Sequence, residues 1–438
     1  MIETASKMTR FKRAIIIAST LLAFTVGIAF VWSTISAERR KNAMRAKGYP
    51  TTLTELDTWY EQPPEGENAA AFVITAGEQF RSSAFAERDR LPFVRPTLWG
   101  VNDNEVSADD LSRTAAFLSH HQEAYDLLAE AAQLEGSHYP LQSRRTTRDG
   151  INNSQAVVGA WRALRMKLSY HFANMNRSEA VTTFEQLARI VCVFNHDPTM
   201  RSVQARTPIL EGTVSAAEYM MNTMVLSRND FDVMDTALAS LVDNNNILHM
   251  AIGELCMVEA EIDHVTGESR ALAAVRRDSI MKVLDEFIHL VDRPLHEALP
   301  DLIEIDSPIK QRPFMYKTLA LRALTRGVPV RNDGFMAFVT LRHYESNARV
   351  AAARGAILVE MARIDGNPLP QRLEDLPAEY RQHWPTDPFT NRAVLYRPTD
   401  QGYVTYSVGL NSRDDGGAYQ AADEEVHAGP DIAINILQ

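Results

Sequence analysis

Apolar residues recur at three- and four-residue steps along most of this chain. Leu111, Ala115, Leu118, Tyr125 and Leu128 form one such stripe, which predicts an amphipathic helix. Residues 156–194 read as two helices divided near 174–177, and further helices are predicted over 208–226, 231–243, 247–265, 270–291 and 313–325. Pro198, Pro208, Pro294, Pro300, Pro308 and Pro329 punctuate this pattern. The connections are short, so neighbouring helices are expected to run antiparallel, as a bundle or a stack of hairpins. No fixed repeat period is present, which argues against a solenoid. Past 327–334, residues 335–364 predict one long Ala-rich helix interrupted only by Gly355. The period then changes: 394–396 and 403–408 flank a turn-rich connector at 398–402 and predict a β-hairpin. The last thirty residues read as loop, with Gly416, Gly417 and several acids.

The N-terminal pattern is different. Residues 14–32, AIIIASTLLAFTVGIAFVW, carry no charge and only Ser19, Thr20 and Thr25 as polar positions. As a helix they span about 29 Å, close to the hydrocarbon thickness of a bilayer. Trp32 ends the run, where an indole suits the membrane interface. A single transmembrane anchor over 14–33 is therefore expected, after a head at 1–13 and before a juxtamembrane linker at 34–67. The run is longer than a signal-peptide core, so an uncleaved anchor is preferred, although Ile35, Ser36 and Ala37 form a passable cleavage site. Lys7, Arg10, Lys12 and Arg13 precede the run, and Arg39, Arg40, Lys41, Arg45 and Lys47 follow it. Positive charge thus divides almost evenly. A short basic head before one apolar span resembles a signal anchor, which places the N-terminus inside and the body outside the cytoplasm, at the inner membrane. In the linker, Leu53, Leu56, Trp59 and Tyr60 predict a short amphipathic helix capped by Thr52 or Thr54.

The chain of 438 residues is 45% hydrophobic and 23% charged, enough for two or three domains with real cores. Its net charge of -11 argues against nucleic acid as a partner, because phosphate binding needs clustered Lys and Arg. Cys192 and Cys256 both fall in apolar helical stretches and read as buried free thiols; a single disulfide is the alternative.

The candidate chemistry is sparse. Glu261 with His264, and Glu286 with His289, have the i,i+3 spacing of di-iron ligands, but a hairpin turning near Gly267 would hold the two pairs roughly 30 Å apart. His249 and Glu254 are better placed to meet Glu286 and His289 across that hairpin. His120 and His121 are adjacent on a helix and point about 100° apart, so they do not chelate. Ser269 lacks the glycine framework of a hydrolase nucleophile and reads as a helix N-cap. Arg144, Arg145 and Arg148, with Asp149 and Gly150, form a basic loop. No catalytic residue and no nucleotide-binding loop is identified.

The C-terminal quarter resembles a known family. A long helix runs into Asp365 and Gly366, followed by the segment 373–376, then Asp387, Pro388 and Phe389, then a hairpin with Tyr396, Tyr406 and Ser407, then Gly409, and finally Asp431 and Ile432. This order is similar to the globular part of type II secretion major pseudopilins. A true pseudopilin carries this module directly on its own membrane helix, after a prepilin cleavage motif that is absent here. About 300 residues intervene instead. The combination resembles uncharacterised bacterial envelope proteins in which an anchor and a helical body carry such a tail. The resemblance implies calcium in the last loop, and Asn411, Asp414, Asp415 and Asp423 supply the oxygen ligands that calcium prefers. Asn411 stands where the family has an Asp, a weaker ligand.

The expected fold is therefore mainly α: an N-terminal transmembrane helix, a helical domain over 68–334, and a small α+β pseudopilin-like module over 335–438. The expected function is a membrane-anchored structural or interaction protein contacting an envelope or secretion assembly. The alternatives are an extracytoplasmic hydrolase or lyase with sequence-dispersed acids, and a lipid- or solute-binding helical domain.

Overall fold

A computed structural model describes residues 2–59, 62–82, 91, 106–139, 147–242, 246–264, 270–306, 333–417 and 431–437. The protein is mainly helical, and among the described residues the strands lie in the C-terminal region. The helix expected at 313–325 lies outside the described residues.

The expected transmembrane element is corrected. Among the described residues, no helix is long and apolar enough to cross a membrane. The uncharged run is not a self-standing span but the middle of one continuous helix, α1 (Ile2–Ala46), which carries on through Glu38, Arg39, Arg40 and Lys41. That charged half is held by protein. Lys41 pairs with buried Glu259, and Arg40 lies 3.2 Å from Asp285 and 3.7 Å from Asp278. Residues 34–46, expected as linker, are thus helix packed on α10 (Asn246–His264) and α11 (Arg270–Val291). The short helix α2 (Leu53–Trp59) forms where the pattern predicts it, and Thr52 Oγ1 caps it by accepting the Glu55 N–H at 3.2 Å.

The helical body continues through α3 (Ala69–Ser82), α4 (Ala108–His120), α5 (Gln122–Ala131), α6 (Thr147–Ala173), α7 (Arg177–Cys192), α8 (Met200–Thr223) and α9 (Arg228–Ala239). After α10 and α11 comes α12 (Leu295–Asp306). The break expected near 174–177 is real: Met175 takes a positive φ and Asn176 caps α7. Helix α8 starts eight residues before Pro208, where the sequence pattern would begin it. The Thr199 side chain accepts the Ser202 N–H, and Glu254 on α10 accepts the Met200 N–H at 2.9 Å. Two of the orphan donors of this helix end are thereby satisfied, one of them by a distant residue.

The long helix α13 (Asp333–Ile364) is the spine of the molecule. It is buried nearly all round: between Met336 and Ala362 only Phe338 and Arg342 are exposed, and the polar Thr340, His343, Ser346 and Asn347 are buried with the apolar residues. Met336, Ala337, Val339, Leu341 and Ala348 enter one core with α10, α11 and α12. Val350, Ala353, Ile357 and Met361 enter a second core with α3 and α6–α9. A four-residue helix α14 (Ala378–Arg381) follows. Strands β1 (Thr386–Asp387) and β2 (Arg392–Ala393) pair with each other. Strands β3 (Leu395–Thr399), β4 (Gly402–Ser407) and β5 (Ile432–Leu437) form an antiparallel sheet in that order. The last strand, expected as loop, exists through its pairing with β4, from Gly402 opposite Leu437 to Ser407 opposite Ile432.

Gly355 is where the sheet meets the spine. A Cβ there would sit 3.3 Å from the Trp384 ring and 3.6 Å from Thr405. Thr405 Oγ1 donates to the Ala352 carbonyl at 2.8 Å, and the Tyr403 hydroxyl donates to the Ala356 carbonyl at 3.0 Å. The tail is tied to the body by further polar contacts. Arg354 makes a two-pronged pair with Asp235 at 2.8 and 3.1 Å, and Arg228 joins Asp365 and Tyr380.

Candidate functional site

The acidic loop after β4 brings Asn411, Asp415 and Asp431 together in the C-terminal module. Its foundation is Asp387, a buried residue of the Asp-Pro-Phe motif. One carboxylate oxygen accepts the Phe389 N–H at 2.8 Å, and the other accepts the Val408 N–H at 3.1 Å. Asp387 thereby fastens the β1 turn to the end of β4, where the loop begins. The chain then makes a single 3-10 turn (Gly409–Asn411) and reverses at Ser412, whose φ of 54° is left-handed.

Within the loop, Asn411 Oδ1 accepts the Arg413 N–H at 2.9 Å, and Asn411 Nδ2 donates to Asp415 at 2.8 Å. Asp414 Oδ1 accepts the Tyr406 hydroxyl at 3.0 Å and the Gly416 N–H at 2.9 Å. Asp431, just before β5, reaches back across the loop. Its Oδ2 accepts the Asp415 N–H at 3.0 Å and the Gly417 N–H at 2.7 Å. Its Oδ1 is buried with no hydrogen-bond partner among the described residues. Asp431 is only 2% exposed. Burial pushes its pKa up; the two backbone donors oppose that shift, and Asp415 and Asp414 add to it. Burial, reinforced by Asp414, likewise pushes the Tyr406 phenol up.

The structure thus brings Asn411, Asp414 and Asp415 into one loop, and Asp423 lies outside the described residues. Asp431 was legible as a motif position, but its place at the heart of the loop was not, because sixteen positions separate it from Asp415. Among the described residues, no group of three His, Cys, Asp or Glu side chains is arranged to hold a metal ion. The loop's chemistry is that of an anionic, oxygen-lined turn with one carboxylate oxygen still to be satisfied.

The other candidates separate. Glu254, expected to meet Glu286 and His289, instead caps α8 through Met200, while His249 packs edge-on against Trp59 with ring centres 5.0 Å apart. Glu286 lies 3.8 Å from Lys282, and His289 contacts Lys47 at 3.0 Å on the surface. His120 is exposed, and His121 is buried against Phe117. The side chains of Glu261 and His264 lie outside the described residues, as do Ser269, Arg144 and Arg145. The backbone of Arg148, Asp149 and Gly150, expected in a loop, is the first turn of α6. No disulfide joins Cys192 and Cys256; Cys256 is buried as expected, whereas Cys192 is only half-buried. No family model, curated protein or solved structure matches this chain.

Proposed function

We propose that this is a structural or interaction protein of the bacterial envelope, whose pseudopilin-like tail offers a fixed docking face to an envelope or secretion assembly. The observation that carries this reading is the way the tail is built into the body. Its helix lies in both cores, and the β5 edge is covered by Glu218 and Asn222 of α8. A tail held this way presents its other edge, β3, and the acidic loop in one orientation, which lowers the entropic cost of docking.

Site-specific photo-crosslinking in cells tests this. A crosslinker at exposed Asp400 or Arg413 is expected to capture a secretion or pilus-like component. One at exposed Glu123, on α5 of the helical body, is expected not to. Recovery of no envelope component from either tail position would sink the reading.

Calcium belongs to the same proposal as a stabiliser of the loop. Asp431 supports it, because a cation is a natural partner for a buried carboxylate oxygen that lacks a donor. At a free concentration 100 times its Kd, calcium would stabilise the fold by about 2.7 kcal/mol. Added calcium is therefore expected to raise the melting temperature of the full-length protein and to leave Asp431→Asn unmoved. An unchanged melting temperature in the wild type removes calcium from the proposal and leaves the docking reading standing.

A further inference from the structure

Large exposed apolar side chains are concentrated on one element. Ile17, Leu21, Phe24, Ile28, Val31 and Trp32, all on α1, are each between 54% and 68% exposed. Ser33, Ala37, Lys41 and Met44, at four- and three-residue steps, are buried and hold the helix to the body. Arg40 meets Asp278 and Asp285, and Lys47 meets His289, so α1 and α11 run parallel. The N-terminal half of α1 therefore extends past Arg270, where α11 begins. Apolar surface this concentrated on a helix marks a contact with something other than water.

Two occupants suit such a face: a second copy of the helix, or lipid. The positions 17, 21, 24, 28 and 31 do alternate by four and three, as a coiled-coil seam does. A coiled coil in water also needs charged flanking positions to fix partner and register, and residues 14–37 contain no charge at all. Lipid requires none. The sequence before this face is the reverse of the chain as a whole: residues 1–16 carry Lys7, Arg10, Lys12 and Arg13 against the single acid Glu3, in a protein of net charge -11. A basic segment leading into an uncharged apolar face, with Trp32 at its far end, complements an anionic lipid surface.

We infer that the exposed apolar face of α1 docks on an anionic lipid surface, with the body held alongside through α11. The contact is made by one face of the helix and calls for no crossing. Full-length protein diluted from detergent into vesicles of phosphatidylcholine containing a minority of phosphatidylglycerol, then floated on a density gradient, tests this. The wild type is expected to float. The triple variant Leu21→Glu, Phe24→Glu, Ile28→Glu is expected to partition at least ~10-fold less. Its melting temperature should be unchanged, since all three side chains are exposed. The inference is overturned if the wild type stays in the dense fractions or if the triple variant floats equally well. A stable dimer that ignores vesicles also overturns it and assigns the face to a second copy.

Discussion

Single residues set how closely the helices approach. Gly253 on α10 lies against the carbonyl of Pro198, and a Cβ there would fall 1.9 Å from that oxygen. The neighbour is backbone and cannot swing aside, so Gly253→Ala forces the helix away from the segment that starts α8. The expected cost is about 1–3 kcal/mol, read as a lower urea midpoint with an unchanged slope. Gly27 on α1 is the control: among the described residues nothing lies within 4 Å of its Cβ position, so Gly27→Ala should not destabilise. His171 makes a different demand. Both ring nitrogens are buried without hydrogen-bond partners among the described residues. Burial first, then Lys167, lower its pKa, while Glu179 opposes them. The unfolded chain therefore binds this proton more readily than the folded one. Stability should be highest above the ordinary histidine pKa of about 6.5 and fall as the pH drops below it, levelling off below the depressed folded value. Urea melts between about pH 7.5 and about pH 5.5 should show this slope, and His171→Gln should flatten it.

At the scale of elements, the C-terminal sheet depends on a helix far away in sequence. Strand β5 would expose a free edge, but Glu218 accepts the Asn435 N–H at 3.0 Å, and Asn222 accepts the Leu437 N–H at 2.7 Å. Asn222 also donates to the Asn435 carbonyl at 2.9 Å. Side chains of α8 thus occupy groups that would otherwise template another strand. Replacing both with alanine is expected to speed amide exchange at Asn435 and Leu437 by at least ~10-fold, since each donor loses its acceptor. Unchanged exchange at both amides would mean that the cap does not protect the edge. This dependence explains which elements could be read in advance. The periodic helices α7, α10 and α11 lie within a few residues of their predicted bounds, because each buries a stripe that its own residues define. Strand β5 was not legible, because the segment before it is rich in Gly and acids and its pairing partner begins thirty residues earlier. The start of α8 was misread for a related reason: Pro208 looked like a boundary, and the group that moves the start to Met200 is Glu254 on another helix. In the acidic loop, Asn411, Asp414 and Asp415 were visible as neighbours, whereas Asp431 acquires its role only when β5 folds back beside β4.

At the scale of the whole molecule, the tail is not an appendage. The sequence draws its composition boundary just before α13, yet the first half of that helix fills one core and the second half fills the other. Removing residues 335–438 would take the spine away from α8, α9 and α12, whose buried apolar side chains share its two cores. Each such side chain loses about 1.5–3 kcal/mol of burial when fully exposed, and stabilities of whole domains are only about 5–15 kcal/mol. The losses on the two sides together exceed what the remaining helices can hold. A chain truncated after Gly334 is therefore expected to lose its cooperative thermal transition while keeping part of its helical circular dichroism, as packing fails before local helix does. A sharp melt in that fragment would show that the cores close without the spine. The same packing decides how the tail's interactions must be probed. Substitutions on its exposed surface leave both cores in place, whereas deleting the tail removes the fold that presents them.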